Sequence, residues 1–217
     1  MLRNRKIRTA TRNDIAPFIM DIHYARRFPS ITFAFGLEVN GELEGVITYG
    51  TPPSSTLRIG VAGNEYSDKV IELNRLCLKS NSKNDASWLV SKSLRLIEGN
   101  KIVVSFADTE QGHTGTVYQA ANFLYTGLSA KRTDWKVRGR EHLHGQTIAD
   151  EFRGMPNRST LMREKYGEDF YLAPRPRKHR YIYITGSRAF KKAALKSLKY
   201  KIKPYPQQSE GKDNEPT

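Results

Sequence analysis

The spacing of apolar residues changes period repeatedly along this chain, and that alternation restricts the fold more than any single motif. Lys6-Ile7-Arg8-Thr9-Ala10-Thr11 has the two-residue period of a strand, and Asn13 or Asp14 is placed to cap a helix carrying Ile15, Phe18, Ile19 and Ile22. Ile31 to Val39 and Leu43 to Tyr49 are rich in β-branched and aromatic residues, and Asn40-Gly41 between them suits a tight turn. Val70 to Leu78 reads as a buried strand, followed by a polar loop from Lys79 to Asp85. Ala86, Leu89, Val90, Leu94 and Ile97 then recur at helical spacing, with a stop at Gly99. Ile102 to Ala107 is strand-like and ends at Asp108; Gly115 to Phe123 is helix-compatible, and Phe123 to Leu128 resumes the sheet. Strands that alternate with helices predict a mixed α/β domain.

The 217 residues, with a hydrophobic share of 38%, suffice for one well-packed domain. It is expected to divide into a catalytic core over 1–130, a basic C-terminal part over 131–206 and a disordered tail over 207–217. The C-terminal part holds a strand, His179 to Ile184, and a Lys-rich helix, Ser187 to Leu198, whose apolar face is Phe190, Ala194, Leu195 and Leu198. A formal charge of +14 attracts polyanions. Its concentration beyond Lys131 points to nucleic acid, with Arg138, Arg140, Arg177, Lys178, Arg180, Lys191 and Lys192 as the expected contacts. No apolar run reaches the roughly 20 residues that span a bilayer, and the N-terminus leads into no signal-peptide core, so a cytoplasmic protein with no membrane partner is expected. The oligomeric state, a homodimer included, stays open. Cys77, between Leu76 and Leu78, is expected as a buried small hydrophobe.

The order of these elements is similar to that of the acetyltransferase superfamily called GNAT. The likeness implies a mixed, mostly antiparallel sheet flanked by helices, here with a basic C-terminal α/β extension. In that superfamily a glycine-rich loop after the fourth strand grips the pyrophosphate of acetyl-CoA, whereas Ser80 to Asp85 contains no glycine. A more specific likeness lies in His23-Tyr24, in Glu72-Leu73-Asn74-Arg75-Leu76-Cys77-Leu78, and in Asn84-Asp85-Ala86-Ser87-Trp88-Leu89-Val90-Ser91. It continues in Val104-Ser105-Phe106-Ala107-Asp108-Thr109 with Gly112-His113, and in Gly115-Thr116-Val117-Tyr118-Gln119-Ala120-Ala121-Asn122. Together these motifs resemble the phage Mom family of DNA adenine-modification proteins, in order from His23 to about Gly127 and more loosely to Tyr205-Pro206. The resemblance implies a transferase in the host cytoplasm that converts adenine in phage DNA to N6-carbamoylmethyl adenine and so shields it from restriction. The donor of the group is not legible.

Carried over residue by residue, the resemblance implies His23, Tyr24, Asp108 and Tyr118 as catalytic residues, and an iron ion as cofactor on His23, Tyr24 and Asp108. Imidazole, phenolate and carboxylate are all competent iron ligands. Arg75 interrupts an apolar strand, so it must be paired or reach a cleft, and it is expected on substrate or phosphate. Asn84 and Ser87, at the start of the central helix, either cap it or hold the donor. The competing structural roles are a turn cap for Asp108, packing for Tyr118, and a hydrogen-bonded helix histidine for His23. His142 and His144 are expected on the surface. Two other functions stay open: an acyl-CoA-dependent acetyltransferase acting on nucleic acid or protein, which the glycine-free loop weakens, and a non-catalytic nucleic-acid-binding module, which leaves Asp108 and Tyr118 without a role.

Overall fold

The computed structural model describes residues 4–24, 26–80, 82–143 and 145–207; His144 and the tail beyond Gln207 lie outside them. Two compact units form, one from residues 1–128 and 178–217 and the other from 129–177. The strand and Lys-rich helix expected near the C-terminus therefore belong to the first unit, and the second is inserted ahead of them.

In the first unit β1 (Arg5–Thr9), β2 (Phe33–Val39), β3 (Glu42–Gly50) and β4 (Val70–Leu78) pair antiparallel in succession. Asn40 and Gly41 turn the β2–β3 hairpin with φ of 54° and 92°, the pair of positive angles a two-residue turn needs. β4 pairs parallel with β5 (Ile102–Asp108), β5 antiparallel with β9 (Lys178–Ile184), and β9 with β6 (Leu124–Leu128). The order is β1-β2-β3-β4-β5-β9-β6, the mixed, mostly antiparallel sheet expected.

Side chains alternate between the two faces of this sheet. Ile47, Tyr49 and Val103 join a core with Leu89, Val90 and Leu94 of α3 (Asp85–Leu96), against which Val117 and Tyr118 of α4 (Thr116–Ala120) pack. On the opposite face Val46 meets Ile15 of α1 (Arg12–Pro17), and Ile102, Val104 and Ile182 meet Val61 of α2 (Ser55–Ala62) and Ala194 of α7 (Arg188–Ser197). α1 is capped by Thr11 rather than by Asn13 or Asp14; Asp14 is the third helical residue and returns a bond to the Thr11 N–H at 2.7 Å. Pro17 has no N–H to continue the helical ladder, and the chain widens into a π-helical turn, Phe18–Ile22, closed by His23 N–H on the Phe18 carbonyl at 2.9 Å. The exposed Ile22 lies off the apolar face expected for it, because that widening rotates it outward.

In the second unit β7 (Arg132–Val137) and β8 (Phe170–Arg175) form an antiparallel ribbon. Val137 and Phe170 pack against Ile148 of α5 (Gly145–Ala149) and Met162 of α6 (Arg158–Tyr166). Among the described residues no helix is long and apolar enough to cross a membrane.

Gly115, which precedes α4, has φ 86°, and a Cβ there would lie 2.4 Å from Cε2 of the buried Tyr181 ring. Gly115→Ala is expected to lower stability by about 2–4 kcal/mol, the sum of an overlap and a left-handed backbone penalty. Chemical denaturation measures this; a loss under about 0.5 kcal/mol would contradict the packing described.

Candidate active site

β4 and β5 share hydrogen bonds over Val70–Leu73 and Ile102–Ser105 alone. Beyond that point Gly45 to Thr48 of β3 still pair with Arg75 to Leu78, and β9 still pairs with Phe106 to Asp108. The two strands therefore part, and the candidate residues gather around the parting.

Asp108 ends β5 almost fully buried. One carboxylate oxygen accepts the Glu110 N–H at 3.1 Å, the capping role foreseen, and the other meets Lys178 Nζ at 2.6 Å. The pair follows from register, since Asp108 and Lys178 stand opposite each other on β5 and β9. His23 and Tyr24 follow the π-helical turn with their rings stacked, centroids 4.4 Å apart. Burial, then the charges of Arg75 and Lys178, push the His23 imidazole down to about 4, so it is neutral at pH 7. Tyr24 remains largely exposed.

Arg75 acts on the loop that follows. Its guanidinium donates to the Arg27 and Asn74 carbonyls at 2.7 Å each, while Asn74 donates to the Ser30 carbonyl at 2.8 Å. Gly50 completes the fit, because any Cβ there would collide with the Ser30 carbonyl oxygen. The Arg75 Nε–H, buried, has no hydrogen-bond partner among the described residues. Tyr118 approaches from α4 on the other face and packs against Tyr181 and Phe123. Burial pushes its phenol up to about 12 despite a hydrogen bond with Ser105, and Tyr24 and Glu72 add to the rise. Tyr118 is thus a neutral hydrogen-bond donor at physiological pH.

The Mom protein family matches residues 4–207. The chain belongs to that family. It is 30% identical over 192 residues to the methylcarbamoylase mom of Escherichia phage Mu, covering 85% of this chain and 76% of the phage protein. Solved structures similar to it include an N-acetyltransferase from Staphylococcus aureus, at 16% identity, TM-score 0.44 and coverage of 83% of this chain and 98% of that one. Another is an acetyltransferase of the GNAT family from Bacillus cereus, at 10% identity, TM-score 0.44 and coverage of 85% and 99%.

In this Mom-family chain Asn84 precedes α3 in a left-handed conformation, φ 67°, and makes no side-chain cap; its carbonyl accepts the Ser87 hydroxyl at 3.2 Å. Asp85, in the first turn of α3, is buried and paired with Arg5 at 2.6 Å. The positive end of the helix thus faces a carboxylate of the chain itself.

For iron the surroundings are cationic: Lys178 holds Asp108, and Arg75 and Lys178 both act on His23. Among the described residues no three His, Cys, Asp or Glu side chains are grouped to hold a metal ion. His113 and His142 are exposed. Cys77 is buried, and burial pushes its thiol up to about 11, as suits an inert hydrophobe.

The residues expected on DNA divide. Lys191 and Lys192 are exposed on α7, and Arg138 is exposed after β7. Arg140 is paired with Glu151 at 2.6 Å, and Arg177 donates to the Ser129 carbonyl at 2.6 Å. Arg180 corrects its expectation: it is buried, donates to Thr126 and lies 3.3 Å from the Tyr200 ring centroid, because β9 runs between β5 and β6 with packed layers on both faces. Lys178 turns to Asp108 instead of outward. Glu72, in the Glu-Leu-Asn-Arg motif but assigned no role from sequence, acts on both Arg75 and Tyr118. Its signal was a charge interrupting an apolar strand.

Because the unfolded chain binds a proton at His23 near pH 6.5 and the folded one near pH 4, the unfolded state holds more protons in between, and stability contributed by neutral His23 is lost as pH falls through that window. The stability difference between the parent and His23→Gln is expected to shrink from pH 7 to pH 4.5 in urea titrations. Parallel pH profiles would contradict the burial described.

Proposed function

We propose that this chain is a DNA-modifying transferase that converts adenine to N6-carbamoylmethyl adenine, protecting phage DNA from restriction in the host cytoplasm. The observation that carries the proposal is the match to the Mom protein family over residues 4–207. The gathering of that family's motif residues at the parted strands supports it. Double-stranded DNA is the substrate in this reading, held by the exposed lysines of α7 and of the segment after it; residues 188–203 contain no acidic side chain.

The exocyclic amine of adenine is poorly nucleophilic and engaged in pairing, so reaching it takes the base out of the stack at a cost of a few kcal/mol. With the base in the cleft, the amine nitrogen forms a bond to the methylene carbon of the donor as the bond from that carbon to its leaving group breaks. Asp108, paired with Lys178 at 2.6 Å, accepts the proton the nitrogen loses. Tyr118, kept as a phenol by burial, donates a proton to the leaving group. The free Nε–H of Arg75 is the donor available to the carboxamide oxygen, and neutral His23 stacks with Tyr24 beside the base. The Asp85–Arg5 pair at the start of α3 supports a donor other than acetyl-CoA.

Nucleosides digested from the DNA of bacteria expressing the protein are expected to contain an adenine heavier by one carbamoylmethyl group. Asp108→Ala and Tyr118→Phe should each lower it by about 100- to 10,000-fold while DNA binding survives. Unmodified adenine with soluble parent protein would refute the function; modification retained in both variants would move the active site elsewhere. Replacing Lys191, Lys192 and Lys196 together by Glu is expected to weaken DNA binding and flatten its dependence on salt. An unchanged slope would place the DNA surface away from α7. Calorimetry should find acetyl-CoA weaker than micromolar; micromolar binding, about −8 kcal/mol, would restore the acetyltransferase alternative.

A further inference from the structure

The second unit carries a surface that its fold does not explain. Between a 3-10 turn (Asp150–Phe152) and α6, Arg153-Gly154-Met155-Pro156-Asn157 are consecutively exposed. The segment is held by turn bonds from Arg153 N–H to the Asp150 carbonyl and from Met155 N–H to the Phe152 carbonyl. Met155 is 50% exposed although the unit has its own core of Val137, Ile148, Met162 and Phe170.

Cationic side chains rim this apolar tip, with Asp150 paired to Arg153 at 3.3 Å on the side of the 3-10 turn. Residues 152–163 contain Arg153, Arg158 and Arg163 and no acidic side chain. Arg153 projects with 71% of its side chain exposed, and Arg163 is exposed as well. Ser159 and Thr160, exposed on the first turn of α6, add hydroxyl donors of the kind that meet phosphate oxygens. An apolar tip rimmed by guanidinium and hydroxyl groups is complementary to a nucleic-acid duplex, whose phosphates are anionic and whose base steps accept Met or Pro wedges.

We infer that the 153–163 segment is a DNA-gripping wedge, in which Arg153 and Arg163 hold phosphates and Met155-Pro156 enters between base steps of double-stranded DNA. The inference rests on the DNA-modifying reading above and deepens it. A wedge replaces the stacking a base loses on leaving the helix, so it serves extrusion of the base more than affinity.

The test uses the full chain. Arg153→Gln with Arg163→Gln is expected to lower the slope of log affinity against log salt by about 2, at about 0.9 for each phosphate contact removed. Met155→Ala should keep that slope and fall at least tenfold in modified adenine, with less enhancement of 2-aminopurine fluorescence in a duplex. Circular dichroism and thermal melting of each variant confirm that the second unit is folded. An unchanged salt slope in the double variant, or unchanged product in Met155→Ala, would overturn the wedge. If the parent itself neither binds DNA nor yields product, it is the DNA-modifying reading that fails.

Discussion

Beyond Leu73 and Ser105 the backbones of β4 and β5 stop bonding to each other, yet each keeps its outer neighbour, β3 or β9. A sheet can open between two strands in this way because neither is left an isolated edge. An intact sheet would separate the side chains of its two faces by a layer of hydrogen-bonded backbone. With the strands parted, Tyr118 from the α4 face and Tyr24 from the α1 face come within electrostatic reach. The arrangement of the candidate residues depends on that gap.

Burial and neighbouring charge hold His23 and Tyr118 in the gap in their neutral forms at neutral pH. Lys178 satisfies Asp108, and the cations beside His23 disfavour a third positive charge. Arg75 is held by backbone carbonyls of the loop it anchors. Such groups are held in place by the fold itself. The loop carrying Arg27 and Ser30 matters for the same reason: Gly50 and Asn74 fix it on β3 and β4, and thereby fix the end of the turn from which His23 projects.

Local periodicity made much of this legible. β4 was expected at Val70 to Leu78 and is found there; the hairpin turn at Asn40-Gly41 and the apolar face of α3 were equally plain. The cap of α1 was misplaced because Asp14, itself a good capping residue, acts here as the reciprocal partner of Thr11. α5 and α6 gave no signal: Met162 is the buried residue of α6, and a helix that buries so little shows no period. Among site residues, Asp108 and Tyr118 stood out through their motifs. The partner of Asp108 did not, since Lys178 arrives through the register of a strand that follows an entire inserted unit. Long-range pairing of this kind leaves no local pattern, and Lys178 and Arg180 therefore read as two more members of a basic surface.

The start of α3 shows how the same physics yields a different use. A helix N-terminus with a flexible glycine loop welcomes an external anion. Here Asp85 fills that position and Arg5 neutralises it. A pyrophosphate entering would stand beside that carboxylate and compete with it for Arg5. At about 4 Å and an effective dielectric constant near 20, each such like-charge contact costs about 4 kcal/mol. That penalty is about half of the roughly −8 kcal/mol that micromolar binding needs. The pair also ties β1 to the central helix, so relieving it for a ligand would loosen the sheet edge that β1 forms against β2. The burial of Asp85 and its pairing with Arg5 therefore serve the cohesion of the core where β1 meets α3.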